Sequence, residues 1–332
     1  MRWLRRAVGA AVVMALLLAG GGWWWLGHPL ALEGERAEVS IEPGTSAREA
    51  ARLWVVAGVR AHPEVLYQWF TWSGQARRIR AGSYEIEAGT TPRMLLDKMV
   101  RGDEVLETLR LIDGWTFRQV RQALATAPRL KSTIDVLSDR QVADLLGLPA
   151  GVIEGQLFPD TYAYSRGVSD MTVLRRAAAA LQRQLAQAWE QRAPDLPLET
   201  PAAALVLASI VEKETGSPAD RGKIAGVFVN RLRLGMPLQS DPTVIYGLGD
   251  RFDGNLRRVD LLADTPWNTY SRRGLPPTPI ALPGLAALQA VLRPDPTPAL
   301  YFVARGDGTS VFSETLDAHN RAVNQFQRGG RR

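Results

Sequence analysis

Residues 205–216, LVLASIVEKETG, combine an apolar run with two glutamates and a lysine placed directly before Thr215 and Gly216. The apolar run predicts a buried helix, and a glycine commonly follows the last residue of a helix. The stretch therefore predicts a buried helix whose last turn carries two carboxylates, and the function of those carboxylates is the first question that the sequence raises.

The two glutamates are expected to face different sides of this helix. Each helical residue advances about 100° around the axis, so Glu214 continues the apolar face that carries Leu207, Ile210 and Val211. Glu212 falls about 200° away from Glu214. The two carboxylates therefore cannot share one small site unless the helix breaks between them.

The position of Glu214 is expected to raise the pKa of its carboxyl. The side chain lies near the negative end of the helix dipole and among apolar residues, and both effects disfavour the charged form. A carboxylic acid that stays protonated near neutral pH can donate a proton to a glycosidic oxygen. By position alone, a solvated glutamate paired with Arg221 or Arg231 is the more ordinary interpretation.

Composition limits the chemistry of the chain. Its 332 residues are enough for two domains, the net charge is +6, and the cations are almost all arginine. The absence of cysteine excludes disulfides and a cysteine nucleophile, and three histidines make a Ser-His-Asp triad or a His-rich zinc site improbable. We therefore expect no metal and no cofactor.

The N-terminus suggests a membrane helix. Arginines in MRWLRR precede an uncharged segment, residues 7–27, which is about as long as the ~20 residues that cross a bilayer. The flanking arginines favour a cytoplasmic N-terminus, and three tryptophans suit the far interface. A cleaved signal peptide is the alternative. A retained anchor would place the rest of the chain outside the cytoplasm, where nucleic acid is not an expected partner.

A pattern of strand, glycine turn and capped helix recurs after the linker. SIEPGTSAREAARL begins at Ser40, EIEAGTTPRMLLDKM begins at Glu85, and a looser copy, LIDGWTFRQVRQAL, begins at Leu111. Each copy carries a Ser or Thr that can cap the first free amides of a helix. The first two copies resemble a LysM-type domain, which implies binding of N-acetylated sugar polymers. A plain α+β packing module is the alternative.

The remainder of the chain predicts a mainly helical domain. Residues 171–193 have apolar positions at helical spacing, and glycine- and proline-rich loops with aromatic residues follow residue 235. Residues 299–315, with Gly306, Asp307 and Gly308 at the turn, predict a terminal β-hairpin. The expected fold class is α+β.

Several long motifs in order resemble the endolytic murein transglycosylases, the MltG/YceG family. They are residues 208–249 around EKETG, EGQLFPDTYAY from Glu154, PWNTYSRRGLPPTPIALPG from Pro266 and LYFVARGDGTSVFS from Leu300. The resemblance implies four segments: a cytoplasmic stub and transmembrane helix at 1–28, a linker at 29–37, a LysM-like module at 38–105 and a catalytic transglycosylase domain at 106–332.

The resemblance implies that Glu214 is the catalytic acid of a peptidoglycan lytic transglycosylase. Such an enzyme cleaves the MurNAc-GlcNAc β-1,4 bond inside nascent glycan strands and leaves a 1,6-anhydroMurNAc end. A muramidase that uses a second carboxylate such as Asp241, and a non-enzymatic, anchored wall-binding scaffold, are the alternatives.

Loop residues with amide, hydroxyl, carboxylate and aromatic side chains are candidates for sugar binding, although a structural role in turns fits each of them as well. These candidates are Gln239, Ser240, Asp241, Thr243, Tyr246, Asn268, Thr269, Tyr270 and Asp160. The expected location is the inner membrane, with the catalytic domain outside the cytoplasm. Peptidoglycan strands are the expected partner, and the resemblance also implies penicillin-binding proteins or other wall synthases.

Overall fold

The computed structural model describes residues 2–328, in two compact units. Unit 1 comprises residues 1–108, 128–130 and 163–168, and unit 2 comprises residues 109–127, 131–162 and 169–332. Met1 and residues 329–332, which belong to the predicted cytoplasmic stub and catalytic domain, lie outside the described residues.

The chain begins with four helices and three strands. In order they are α1 (Arg2–Gly27), β1 (Arg36–Ile41), α2 (Ala47–Val56), α3 (Pro63–Trp72), β2 (Gly82–Glu87), α4 (Pro92–Arg101) and β3 (Leu106–Arg110). A 3₁₀ turn, Ala76–Arg78, precedes β2. Strands β1 and β2 pair antiparallel, with Val39 opposite Tyr84. The core of this unit contains Trp54, Phe70 and Tyr84, which have no measurable exposure to solvent.

The structure corrects the predicted transmembrane helix of residues 1–28. Among the described residues, no helix combines the length and the apolar content needed to cross a membrane. The strongly apolar segment, residues 10–19, is shorter than the ~20 residues that a span needs. Three glycines and three tryptophans follow it at residues 20–25, and they add little hydropathy.

The predicted turn and cap recur at all three copies of the pattern. Gly44, Gly89 and Gly114 have positive φ values of 92°, 99° and 76°, a conformation that glycine adopts without a steric penalty. The side chains of Ser46 and Thr91 accept hydrogen bonds from the first turns of α2 and α4. In the third copy, Thr116 forms a capping box at the start of α5 (Phe117–Thr126).

The later part of the chain is mainly helical. After α5 the helices are α6 (Asp139–Leu145), α7 (Asp170–Glu190), α8 (Pro201–Glu214), α9 (Pro218–Arg233), α10 (Asp241–Leu248), α11 (Arg258–Leu262), α12 (Leu285–Leu292) and α13 (Leu316–Val323). The strands are β4 (Thr161–Ser165), β5 (Tyr301–Ala304) and β6 (Ser310–Ser313), with 3₁₀ turns at Pro149–Gly151 and Gly249–Arg251 and a π-helical turn at Asn324–Arg328. Strand β3 pairs with β4, and β5 with β6 as an antiparallel hairpin.

Helix α8 lies at the centre of the core of unit 2. It packs against α7, α9, α10 and α12, and its residues Leu207, Ile210 and Val211 are fully buried. Ser209 is buried too, but its hydroxyl donates to Val206 O and accepts from Ile280 N, so its polar group is satisfied. The helix ends at Glu214 because Thr215 is extended (φ −150°, ψ 136°). The core therefore fixes where the last carboxylate of the helix stands.

Candidate active site

Glu214 lines an open cavity of about 510 Å³ in unit 2. We call this space the Glu214 cavity. Its lining also includes Asp241, Tyr270, Arg231, Tyr301 and His319. The carboxyl at the end of α8 is therefore partly surrounded by protein and still faces a space that a ligand can enter.

One hydrogen bond orients the Glu214 carboxyl. Ser240 donates from Oγ to Oε1 of Glu214 at 2.5 Å. Ser240 is buried, and its backbone N–H donates to Thr269 Oγ1 at 3.0 Å. The hydroxyls of Thr269 and Thr243 lie 2.8 Å apart, and Thr243 donates to Ser240 O at 2.6 Å. Two buried threonines thus fix the position of Ser240, which in turn orients the carboxyl of Glu214.

Burial raises the pKa of the Glu214 carboxyl to about 7. The hydrogen bond from Ser240 and the charge of Arg231 lower this pKa, whereas the negative charge of Asp241 raises it. The low polarity of the surroundings outweighs the hydrogen bond and the cation. A substantial fraction of the carboxyl is therefore protonated at neutral pH, as general acid catalysis requires.

Three further predicted residues line the Glu214 cavity. Tyr270 donates from its hydroxyl to Oδ1 of Asp241 at 2.5 Å, so both side chains are fixed. Gln239 also lines the cavity, and its Oε1 accepts from Nη1 of Arg231 at 3.2 Å. Its φ of 54° is unusual for a residue other than glycine. Such local strain is common in functional sites.

The other predicted residues have different roles in the structure. Asn268 is fully buried; its Nδ2 donates to Leu261 O in α11 and to Ala263 O, and its Oδ1 accepts from Tyr270 N. Asp160 is exposed and accepts from the N–H of Thr161. Neither residue lines the Glu214 cavity.

Tyr246 contacts a second carboxyl, that of Glu154, which the sequence analysis did not name as a candidate. Its hydroxyl donates to Oε2 of Glu154 at 3.3 Å. Burial raises the pKa of Glu154 to about 7, and hydrogen bonds from Phe117 and Tyr246 oppose this shift. Glu154 does not line the Glu214 cavity.

Glu212 and Lys213 also lie away from the Glu214 cavity. Oε2 of Glu212 accepts from Gly284 N at 3.0 Å, and Nζ of Lys213 donates to Gly114 O at 3.2 Å. The two glutamates therefore have different partners, as their helical spacing predicts. Among the described residues, no cluster of three histidine or carboxylate side chains is placed to hold a metal ion.

Sequence reasoning missed Arg231, Tyr301 and His319 as cavity residues. Arg231 was considered only as an ion-pair partner of Glu214. Tyr301 and His319 lie far from Glu214 in the sequence, although they line the same cavity. The scarcity of histidine was a usable signal, because His319 is one of only three in the sequence.

The fold and the site define a class of protein: an α+β protein with a carboxyl of raised pKa at an open cavity. Comparison with known proteins then gives the family. The sequence profile of the YceG-like family matches residues 39–325. This chain therefore belongs to the YceG-like family.

Curated relatives carry a functional name. An endolytic murein transglycosylase of Bacillus subtilis (strain 168) is 31% identical over 280 residues, which cover 79% of this chain and 77% of the relative. An endolytic murein transglycosylase of Streptococcus pneumoniae serotype 2 is 27% identical over 320 residues. The match covers 86% of this chain but only 57% of that relative.

A solved structure supports the fold. The 2.6 Å crystal structure of a putative YceG-like protein from Listeria monocytogenes is similar to this chain, with a TM-score of 0.55 and 28% identity. The similarity covers 86% of this chain and 98% of that protein.

Proposed function

We propose that this chain is an endolytic murein transglycosylase, a lyase that cleaves the MurNAc-GlcNAc β-1,4 bond within glycan strands. The main support for this proposal is the carboxyl of Glu214, which has a pKa raised to about 7 and faces an open cavity. Membership of the YceG-like family and the names of the curated relatives support the same activity.

Glu214 acts twice in the proposed reaction. Its protonated carboxyl first donates a proton to the glycosidic oxygen that leaves C1 of N-acetylmuramic acid. The carboxylate then accepts the proton of the 6-hydroxyl of the same sugar, while that oxygen attacks C1. The products are a 1,6-anhydroMurNAc end and a free 4-hydroxyl on the other fragment. The enzyme regains its proton and no water is consumed.

The surroundings of Glu214 suit both steps. Ser240 donates a hydrogen bond to the carboxyl and so stabilises the carboxylate that forms after the first proton transfer. The N-acetyl group of the substrate is suited to stabilise the positive charge that develops at C1. A pKa near 7 lets one group serve as acid and then as base near neutral pH.

The proposed activity has a location and a wider role. Murein lies outside the cytoplasm, so the enzyme acts there. Cleavage inside new strands would end their elongation, next to penicillin-binding proteins or other wall synthases. The segment 38–105 would serve as a LysM-like module that binds glycan, and the segment from residue 106 onward as the catalytic domain.

A muramidase is the second candidate, because Asp241 lines the same cavity as Glu214. A hydrolase uses a second carboxylate to activate water or to form a covalent intermediate. The products separate the two reactions directly. A wall-binding scaffold without activity would need neither carboxylate.

The test uses the full chain, the variant Glu214→Gln and the matched control Glu212→Gln. Glu212 lies on the same helix turn, and glutamine keeps its acceptor for Gly284 N. Each protein is incubated with purified peptidoglycan, and the released fragments are weighed by mass spectrometry. We expect the wild type and Glu212→Gln to release muropeptides one water lighter than the reducing forms, and Glu214→Gln to release almost none.

Two results would contradict this proposal. Reducing ends from the wild type would establish a hydrolase and turn attention to Asp241. Anhydro fragments from Glu214→Gln at the wild-type rate would show that another group supplies the proton.

A further inference from the structure

One strand of the terminal hairpin contributes a continuous segment to the lining of the Glu214 cavity. All four residues of β5, Tyr301–Ala304, line the cavity, whereas Ser310 is the one residue of β6 that does. Successive side chains of a strand point to opposite faces of its sheet. A space that touches four successive residues therefore runs along the edge of the strand and not over one face.

The edge of β5 that faces away from β6 has no strand partner. Among the described residues, this sheet consists of β5 and β6 alone. Arg305, directly after β5, donates from N to Thr309 O at 2.9 Å. Residues that bond across an antiparallel pair alternate with residues that do not. The N–H and C=O groups of Phe302 and Ala304 therefore point away from β6, to what we call the outer edge of β5.

The groups on the outer edge remain available to a ligand. Within residues 2–328, no backbone hydrogen bond joins Phe302 or Ala304 to a segment outside the hairpin. Ala304 is exposed and Phe302 is half-buried. An unpaired strand edge is a template for another extended chain, and main-chain hydrogen bonds supply the affinity in such complexes.

Arg231 links the start of β5 to the candidate catalytic carboxyl. Its Nε donates to Leu300 O at 2.7 Å, directly before β5, and its Nη1 donates to Leu238 O at 2.8 Å. Arg231 is buried, and its charge acts on the pKa of Glu214. The outer edge of β5 is therefore fixed within the same cavity as the group that would cleave the glycosidic bond.

An extended peptide supplies the groups that the outer edge of β5 lacks. The N–H and C=O of one extended residue point to the same side, so they can pair with one strand residue. In a single trans amide, such as a sugar N-acetyl group, the N–H and C=O point in opposite directions. Murein carries a short peptide that is joined through an amide to the lactyl group of muramic acid, the sugar whose C1 reacts. The first amino acid of this peptide therefore lies close to the reacting bond.

We propose that the outer edge of β5 binds the peptide of murein as an added strand, with carbonyl oxygens of the peptide accepting from Phe302 N and Ala304 N. The inference rests on the proposed function and narrows its substrate to strands that still carry their peptides. The outer edge of β5 positions the muramic acid before Glu214 and takes no part in proton transfer.

Hydrogen exchange of single backbone amides tests the proposal without a substitution in β5. The full chain carrying Glu214→Gln, which leaves the ligand uncleaved, is saturated with a GlcNAc-MurNAc tetrasaccharide that bears the peptide, or with the same tetrasaccharide after removal of the peptide. Exchange at Phe302 N and Ala304 N should slow about tenfold or more with the first probe and less than about twofold with the second. Val303 N bonds to β6 and should change little with either probe.

A proline on the outer edge of β5 gives a second measurement in the same Glu214→Gln chain. Ala304→Pro removes one outward N–H, at a position where an edge strand tolerates proline. Affinity for the peptide-bearing probe should fall about tenfold, or about 1.4 kcal/mol, because a hydrogen bond is lost and the ring obstructs the added strand. Affinity for the peptide-free probe should change less than about twofold. Ala304→Ser keeps the N–H and should match the parent.

Two results would overturn the proposal. One is equal exchange at Phe302 and Ala304 with both probes. The other is an affinity of Ala304→Pro for the peptide-bearing probe equal to that of Ala304→Ser. If Ala304→Pro loses affinity for both probes, the hairpin itself is disturbed, and the exchange measurement decides. Cleavage by the otherwise unchanged chain that still depends on Glu214 would leave the proposed function in place in each case.

Discussion

Glu154 and Glu214 lie in the same unit, and burial raises the pKa of each carboxyl to about 7, yet their surroundings differ. Glu214 faces an open cavity and has one hydrogen bond from a side chain, that of Ser240. Glu154 lies outside that cavity and accepts from Phe117 N at 3.0 and 3.2 Å and from Tyr246 at 3.3 Å.

The comparison shows that a raised pKa does not by itself identify a catalytic acid. Glu154 accepts from the first residue of α5 and from a residue of α10, so its carboxyl joins two helices. Glu214 combines the same proton affinity with access for a ligand. The open cavity, which Glu214 lines and Glu154 does not, separates the candidate catalyst from the carboxyl that connects helices, whereas the pKa does not.

Among variants that keep Glu214, the largest effect is expected from removing its hydrogen-bond partner, Ser240. Ser240→Ala deletes the hydrogen bond to the carboxylate that forms during proton transfer. Hydrogen bonds to charged groups contribute about 1.5–3 kcal/mol, so kcat/KM should fall about 10- to 100-fold. The rate of release of anhydro muropeptides measures the effect.

The matched control for that change is Ser310→Ala, which alters a serine that lines the cavity and is not bonded to Glu214. A rate within about twofold of the wild type is expected for the control. An equal loss in both variants would mean that the hydrogen bond has no special role.

A second prediction concerns stability and Glu154. Its pKa is about 7 when folded and near 4.5 when unfolded, so the folded state binds the proton more tightly. This contribution to the free energy of unfolding is complete below about pH 4.5 and is lost as the pH rises to 7. Glu154→Gln cannot ionise at this position. Between pH 5 and pH 8, its free energy of unfolding should therefore fall by about 1–3 kcal/mol less than that of the wild type.

Urea unfolding at the two pH values measures that difference. Glu190→Gln, at an exposed position on α7, is the control and should follow the wild type. If Glu154→Gln loses as much stability as the wild type over this range, then Glu154 does not carry a raised pKa in the folded protein.

The smallest effect is expected at Asp241. Its negative charge raises the pKa of Glu214, so Asp241→Asn should lower that pKa. The alkaline decline of kcat/KM should then begin at a lower pH, with a change of less than about tenfold in the rate at pH 7. Loss of all cleavage would instead favour the hydrolase, in which Asp241 is a second catalytic carboxylate.

Local features of the structure were predictable from the sequence. The three glycine turns and helix caps follow from short-range backbone preferences, which the letters SIEPGTS, EIEAGTT and LIDGWTF carry directly. The separation of Glu212 from Glu214 follows from helical geometry alone.

Features that depend on distant parts of the chain were not predictable. Nothing near His319 in the sequence shows that it stacks on Tyr301, and nothing near Glu154 shows that it accepts from Tyr246. Asn268 was a candidate for sugar binding because of its residue type, but its amide is fully used by neighbouring backbone. The type of a residue determines which interactions its side chain can make, whereas packing determines which polar groups remain free to bind a ligand.

The pH dependence of kcat/KM tests most directly whether Glu214 is the group that transfers the proton. The account predicts a tenfold fall per pH unit above about pH 7 in the wild type, because the acid must be protonated in the free enzyme. Glu154→Gln should show the same profile, since Glu154 lies outside the cavity. A flat profile, or a decline that disappears in Glu154→Gln, would contradict the account.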